Sequence, residues 1–238
     1  MRWTAPADIH AWHHYFSDRA RRSHDRRLQR YFETGLPAPD ASIDSVPMVA
    51  MDMETTGLDI QRCGIVSLAL VPFTYHRIDF ANRRSWLIKP RRPLWRHSVT
   101  VHGITDQDIE QAPDLEHVLE EMLSHMAGRV VVVHYREIER PFLDAAVLER
   151  TAEPFRFPVI DTMELEARRH RFSRWAQFRQ WLGRPLPSIR LAASRQRYGL
   201  PMYHGHNALT DALATAELLQ AQLRTHYDPT TPLHTLWQ

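Results

Sequence analysis

Apolar residues along this chain follow two rhythms, and the change from one to the other outlines a fold. Val46–Glu54 is a short apolar stretch, rich in Val and Met, that ends in acids. After a Thr-Thr-Gly turn comes a longer run, Ile65–Phe73, and Arg84–Ile88 is a third stretch, stopped by Pro90, which cannot donate to a sheet ladder. Compact runs of this kind predict strands, and three in quick succession predict an antiparallel meander. Helical spacing then takes over, with apolar residues at 115, 118, 119, 122, 123 and 126 predicting an amphipathic helix over Leu115–Met126. Arg129–Val133 predicts a buried strand of valines, followed by a helix to about Arg150 and a brief last strand at Val159–Ile160. Asp161-Thr-Met-Glu164 has the form of a capping box opening the next helix. A stripe at 209, 212, 216, 219 and 223 predicts a final helix over about Asn207–Arg224. Three early strands followed by strand–helix alternation make an α/β fold, a mixed five-stranded sheet flanked by helices.

The ends of the chain have a different character. Residues 1–33 are aromatic and Arg-rich, with six arginines against two aspartates between Asp18 and Arg30. Trp12 and Phe16, like Leu28 and Phe32, lie four residues apart, which predicts a helix or helical hairpin. Solvated helices packed against the domain are the favoured reading there, ahead of a nucleic-acid-binding arm. Residues 34–45 have the Pro, Gly, Ser and Asp content of a linker. The expected division is an Arg-rich helical extension and linker at 1–45, a domain at 46–226 and a tail at 227–238.

Composition narrows the function classes without choosing one. No apolar run is long enough to cross a bilayer, and the first residues carry no secretory-type apolar stretch. The single cysteine, Cys63, excludes an intrachain disulfide and gives no support for a cysteine-based zinc site. A cytoplasmic protein with no membrane partner is expected. Net charge is only +2, and Lys89 is the only lysine. Arginine forks well onto phosphates, so a phosphate-binding role is permitted, although biased Arg usage is the favoured reading of the pattern.

The carboxylates carry more information. Residues two apart in a strand share a face, so Asp52 and Glu54 project together from the end of the first strand. Adjacent carboxylates repel, and a bound cation is the usual reason to pair them; a pair of exposed strand-end acids is the plainer alternative, and the two residues alone leave both open. Asp211 sits at the edge of the last helix's buried stripe, five residues after His206 in a Gly205-containing loop. An imidazole there suits proton transfer near neutral pH, with His204 as a rival. A fourth acid comes from the segment leaving the valine strand, where Glu137 and Glu139 are about 200° apart around a helix, so only one can face a site. Asp161 is explained by its capping position.

In order along the chain, the Asp52-x-Glu54-Thr55-Thr56-Gly57 run, the Val-His-Gly-Ile-Thr segment at 101–105, the strand–His–helix segment around His134 and the His206-x4-Asp211 pair resemble the DEDDh 3′–5′ exonucleases, in their DnaQ-like branch of proofreading epsilon-subunit relatives. The resemblance covers about residues 46–224. It implies an RNase H-like fold and a two-metal hydrolysis releasing nucleoside 5′-monophosphates from nucleic-acid 3′ ends. Its ions would be two Mg²⁺ or Mn²⁺, in keeping with hard oxygen ligands. By the same resemblance Asp52 bridges both metals, Glu54 and Asp211 complete the ligands of one, and His206 is the general base. His102, Thr55 and Leu58 match substrate-contacting positions. The implied partner is nucleic acid with a free 3′ end, single-stranded DNA first, with DNA repair as the setting.

The family's third acid is normally an aspartate in a His-Asn-x-x-Phe-Asp-type segment, and here Glu139 stands at that position, with Tyr135 and Ile138 at the Asn and Phe places. The alternatives are a non-catalytic nucleic-acid-binding module with a decayed site and an exonuclease that trims RNA or short oligonucleotides. A polymerase partner is compatible with the resemblance, but no long C-terminal tail of the tethering kind follows the last helix.

Overall fold

The computed structural model describes residues 9–91, 104–172, 181–183 and 185–237. Two helices, α1 (Ile9–Arg22) and α2 (Arg26–Thr34), precede the sheet. The meander follows as β1 (Met48–Thr55), β2 (Ile65–Phe73) and β3 (Arg84–Leu87). After α3 (Asp106–Gln111) and α4 (Leu115–Met126) come β4 (Val130–Val133), α5 (Arg136–Thr151), β5 (Val159–Asp161) and α6 (Thr162–His170). A short α7 (Leu191–Arg197) leads to the long α8 (Ala208–His226). The strand order is β3-β2-β1-β4-β5, antiparallel across the meander and parallel from β1 through β4 to β5. The expected mixed five-stranded sheet is therefore present.

Both sheet faces are buried, so β1 reads as a continuous apolar run while its two faces serve different layers. Val49, Met51 and Met53 point into a cluster with α4, α5 and the α1–α2 hairpin. Met48 and Ala50 point the other way, toward Ala212, Ala216 and Leu219 of α8. The small alanines let α8 lie close against the sheet. By the two-residue period, Asp52 and Glu54 continue the row that faces α8, where the chain carries its next acid.

The N-terminal hairpin packs into the main core. Trp12, Phe16, Tyr31 and Phe32 are buried; the Phe16 ring meets those of Tyr31 and Phe32, which meet Phe155, and Phe155 in turn meets Phe157, in edge-to-face and tilted pairs. Glu153 fastens the hairpin by pairing with Arg19 and accepting the backbone N–H groups of His24 and Asp25, both at 2.8 Å. The stretch after the hairpin meets the end of the chain, with Ser42 bridging Pro232 and Leu233, Leu236 and Trp237 covering the α8 face. Among the described residues, no helix is long and apolar enough to cross a membrane.

Asp161 does cap α6, accepting N–H bonds from Met163 and Glu164 at 2.9 and 3.3 Å. The reciprocal half of the expected capping box is replaced, because Glu164 turns to Arg168.

Candidate metal centre

Four acids reach one end of the sheet from three elements. Asp52 and Glu54 stand at the C-terminal end of β1, and a shift of register against β2 between Glu54 and Thr55 ends the regular ladder there. Asp211 stands on the first turn of α8, whose start is fixed by Asn207 accepting the Thr210 N–H at 3.1 Å. Carboxylate oxygens of Asp52, Glu54 and Asp211 lie within 4.8 Å of one another. Glu139, on the first turn of α5, adds its charge to Asp52 from the parallel side of the sheet.

The electrostatics of the group are those of a site that wants a cation. Burial raises the Asp52 pKa well above the usual carboxylate range, and the charges of Glu139, Asp211 and Glu54 push it further. Glu54 is pushed up to about 7 by burial and by Asp211. Burial also raises Asp211, offset in part by the His206 N–H that donates to its Oδ2 at 2.8 Å. Glu139 is only 4% exposed, raised by burial and by Asp161, and its Oε2 has no hydrogen-bond partner. A buried carboxylate oxygen left without a donor costs free energy unless something positive approaches it. These hard oxygen donors fit a divalent cation of the Mg²⁺ or Mn²⁺ type.

The choice between the two glutamates of α5 follows from burial. Glu137 is exposed and pairs with Arg136, whereas Glu139 is buried toward Asp52. Arg140 is buried beside it, its pKa pushed down to about 10 by burial.

The α5 entry is held from outside the helix. Tyr135, just before it, has φ +113° and offers no side-chain cap. The Asp161 carboxylate takes its place from β5, accepting the N–H groups of Tyr135 and Arg136 at 3.2 and 3.0 Å while also capping α6. Sequence reasoning found the second of these roles and missed the first, which only the parallel pairing of β4 with β5 brings about.

His206 lies beside Asp211 in the loop before α8, exposed and with φ +68°. A non-glycine residue held in that region costs about 1–3 kcal/mol and persists where its surroundings impose it. His206 lines a cleft together with Asp211, and His204 does not. Of the expected substrate contacts, Leu58 is 79% exposed on the β1–β2 loop, while Thr55 is buried and donates its hydroxyl to Gly57 O at 2.9 Å. Gly57 has φ +154°, and a Cβ there would meet Cys63 Sγ at 2.9 Å, so this turn admits little else. His102 lies outside the described residues.

Residues 49–219 match the family described as exonuclease, of RNase T type. A PolC-type DNA polymerase III from Thermotoga petrophila is 28% identical over 179 residues, 75% of this chain and 12% of that protein. Its counterpart in Streptococcus thermophilus is 30% identical over 171 residues, 72% of the chain and 11% of the relative. The chain thus spans about an eighth of the length of these curated relatives. Exonuclease X, solved with 5′ overhanging duplex DNA, superposes with a TM-score of 0.56 at 25% identity, covering 78% of this chain and 97% of that one. The nuclease domain of 3′hExo, a DEDDh family member bound to rAMP, shares the fold with a TM-score of 0.59 at 15% identity, covering 79% and 96%.

Proposed function

This chain belongs to the exonuclease family, as a DnaQ-like DEDDh 3′–5′ exonuclease, and from that premise we propose that it releases nucleoside 5′-monophosphates from DNA 3′ ends with two divalent cations held by Asp52, Glu54, Asp211 and Glu139. The observation that carries the reading is the convergence of Asp52, Glu54 and Asp211 within 4.8 Å at the end of a buried strand, with Glu139 unsatisfied beside them. When bound, the cations supply positive charge to the attacking and leaving oxygens of an in-line displacement.

The protein's own groups do the rest. Asp52 feels the charges of Glu139, Asp211 and Glu54 and would hold the cations together with them. His206 is the general base: exposed beside Asp211, it accepts the proton of the attacking water. Leu58 projects from the β1–β2 loop, where an apolar side chain can press against a terminal base, and Thr55 and His102 are expected to contact the same nucleotide. The exonuclease unit is taken as 46–226, with 1–45 and 227–238 flanking it.

A DNA substrate draws support from the PolC-type relatives and from exonuclease X. Association with a polymerase draws support from the PolC-type relatives alone. The test is a nuclease assay across single-stranded DNA, duplex DNA and oligoribonucleotides, with Mg²⁺ and with Mn²⁺. Fastest release of mononucleotides from single-stranded DNA is expected. Binding without shortening of any substrate would favour a non-catalytic module, and faster trimming of oligoribonucleotides would move the assignment to RNA.

A further inference from the structure

The loop that carries His206 has a mechanical problem. Leu200–Asn207 has no helix or strand of its own. Beneath it lies a cleft of about 300 Å³ that runs from Tyr203 and Arg195 to His206 and Asp211. His206 itself is exposed and sits at φ +68°, a conformation that persists only where neighbours impose it.

Side chains of α7, the loop and α8 surround the cleft. Arg195 of α7 is 2% exposed and reaches across to α8, donating to Ala214 O at 2.7 Å. Its other terminal nitrogen donates to Pro201 O in the loop at 2.8 Å and to Glu217 Oε2 at 2.7 Å. Glu217 in turn accepts the Tyr203 hydroxyl through Oε1 at 3.0 Å, and the Tyr203 ring lies over the Arg195 guanidinium, 4.6 Å from ring centre to carbon. A planar fork can serve several acceptors and a ring at once, which a lysine could not. The loop is thus fastened at Pro201 and Tyr203 ahead of His206, whose own N–H donates to Asp211. Asp211, Ala214 and Glu217, the three anchor points on α8, follow at three-residue spacing, so one helix carries both a metal-cluster acid and the anchors of the base.

We propose that Arg195, Tyr203 and Glu217 form a clamp that positions His206, making them positioning residues for the hydrolysis. The proposal rests on the reading of His206 as the base. A misplacement of about 1 Å in a reacting group costs on the order of 10²-fold in rate, so the clamp has leverage; Arg195 also bears on Asp211 by its charge, which is why the rate test uses Tyr203.

The test uses the full chain labelled with ¹⁵N-histidine, its His206 imidazole signal identified by loss in His206→Ala. Tyr203→Phe removes the bond to Glu217 and keeps the ring over Arg195; Arg195→Met removes the guanidinium. In both, the His206 signal should shift or broaden while that of buried His134 stays in place. On single-stranded DNA, Tyr203→Phe should lower kcat about tenfold, as loss of an outer supporting contact does, with KM near wild type. In a His206→Ala background the same substitution should cost nothing further. An unchanged His206 signal in both variants, or an equal loss of rate in the His206→Ala background, would overturn the clamp. Wild-type turnover by His206→Ala would instead overturn the reading of the base, and the spectra would still decide whether the loop is clamped.

Discussion

Glu139 carries one methylene more than the aspartate usual at its place; it is buried with Oε2 unsatisfied and its charge bears on Asp52, outside the three-acid group of Asp52, Glu54 and Asp211, and under the proposed function it completes the metal ligands. Glu139→Asp should then retain or raise turnover, measured as mononucleotide release in Mn²⁺. A loss as deep as that of Asp52→Ala would mean that another group supplies the fourth carboxylate. The pH dependence of the cluster can also be worked out. A group whose pKa is raised on folding stabilises below its ordinary value and loses that contribution as pH rises through the folded value. For Glu54 the window runs from 4.5 to about 7. Buried His134, pushed down to about 4, runs in the opposite sense, so a comparison that cancels it is needed. Metal-free Glu54→Gln should melt above the wild type at about pH 8, the advantage shrinking toward pH 5, and Mn²⁺ should reverse the order. Calorimetry across that range checks it. At this scale the pairing of Asp52 with Glu54 was legible from strand parity, and Glu139 over Glu137 from family register. The positive φ of His206 was not, since nothing in Gly205-His206-Asn207 assigns the left-handed turn to the histidine instead of the glycine.

Helices and strands were legible wherever a periodic run was long. Ile65–Phe73 and Leu115–Met126 have the bounds their patterns predict. The seven-residue α7 escaped notice because it spans barely two turns in a Pro-rich stretch, too short for a periodic stripe. That omission hid Arg195. Also hidden was the double duty of Asp161, whose carboxylate serves the N-termini of two helices brought side by side by the parallel β4–β5 pairing. Asp161→Ala leaves those N–H groups without an acceptor and should cost about 2–4 kcal/mol, from a lost cap and further unsatisfied donors. Asp161→Asn keeps one acceptor oxygen and should lose less. Urea unfolding measures both, and equal stability of Asp161→Ala and wild type would mean that the α5 entry is held by other contacts.

At the scale of the whole molecule, the sheet divides the core into two layers, and the acids emerge at the end where β1, α5 and α8 converge. The N-terminal hairpin belongs to one of these layers: its rings interleave with Phe155 and Phe157, just ahead of β5. Phe16→Ala should therefore cost about 3–5 kcal/mol, as in other buried aromatic truncations, read as a lower urea midpoint with an unchanged slope. A change under about 1 kcal/mol would mean that the hairpin only rests on the domain. The aromatic spacing of the hairpin and its packing against the domain were legible in the sequence; the residues it meets were not, because those partners lie more than a hundred residues away. Single-stranded DNA labelled at its 5′ end, incubated with the protein in Mn²⁺, should shorten one nucleotide at a time, while a 3′ label should appear at once as a mononucleotide, and Asp52→Ala should do neither while keeping its fold. Asp52→Ala degrading both substrates at the wild-type rate would contradict the account.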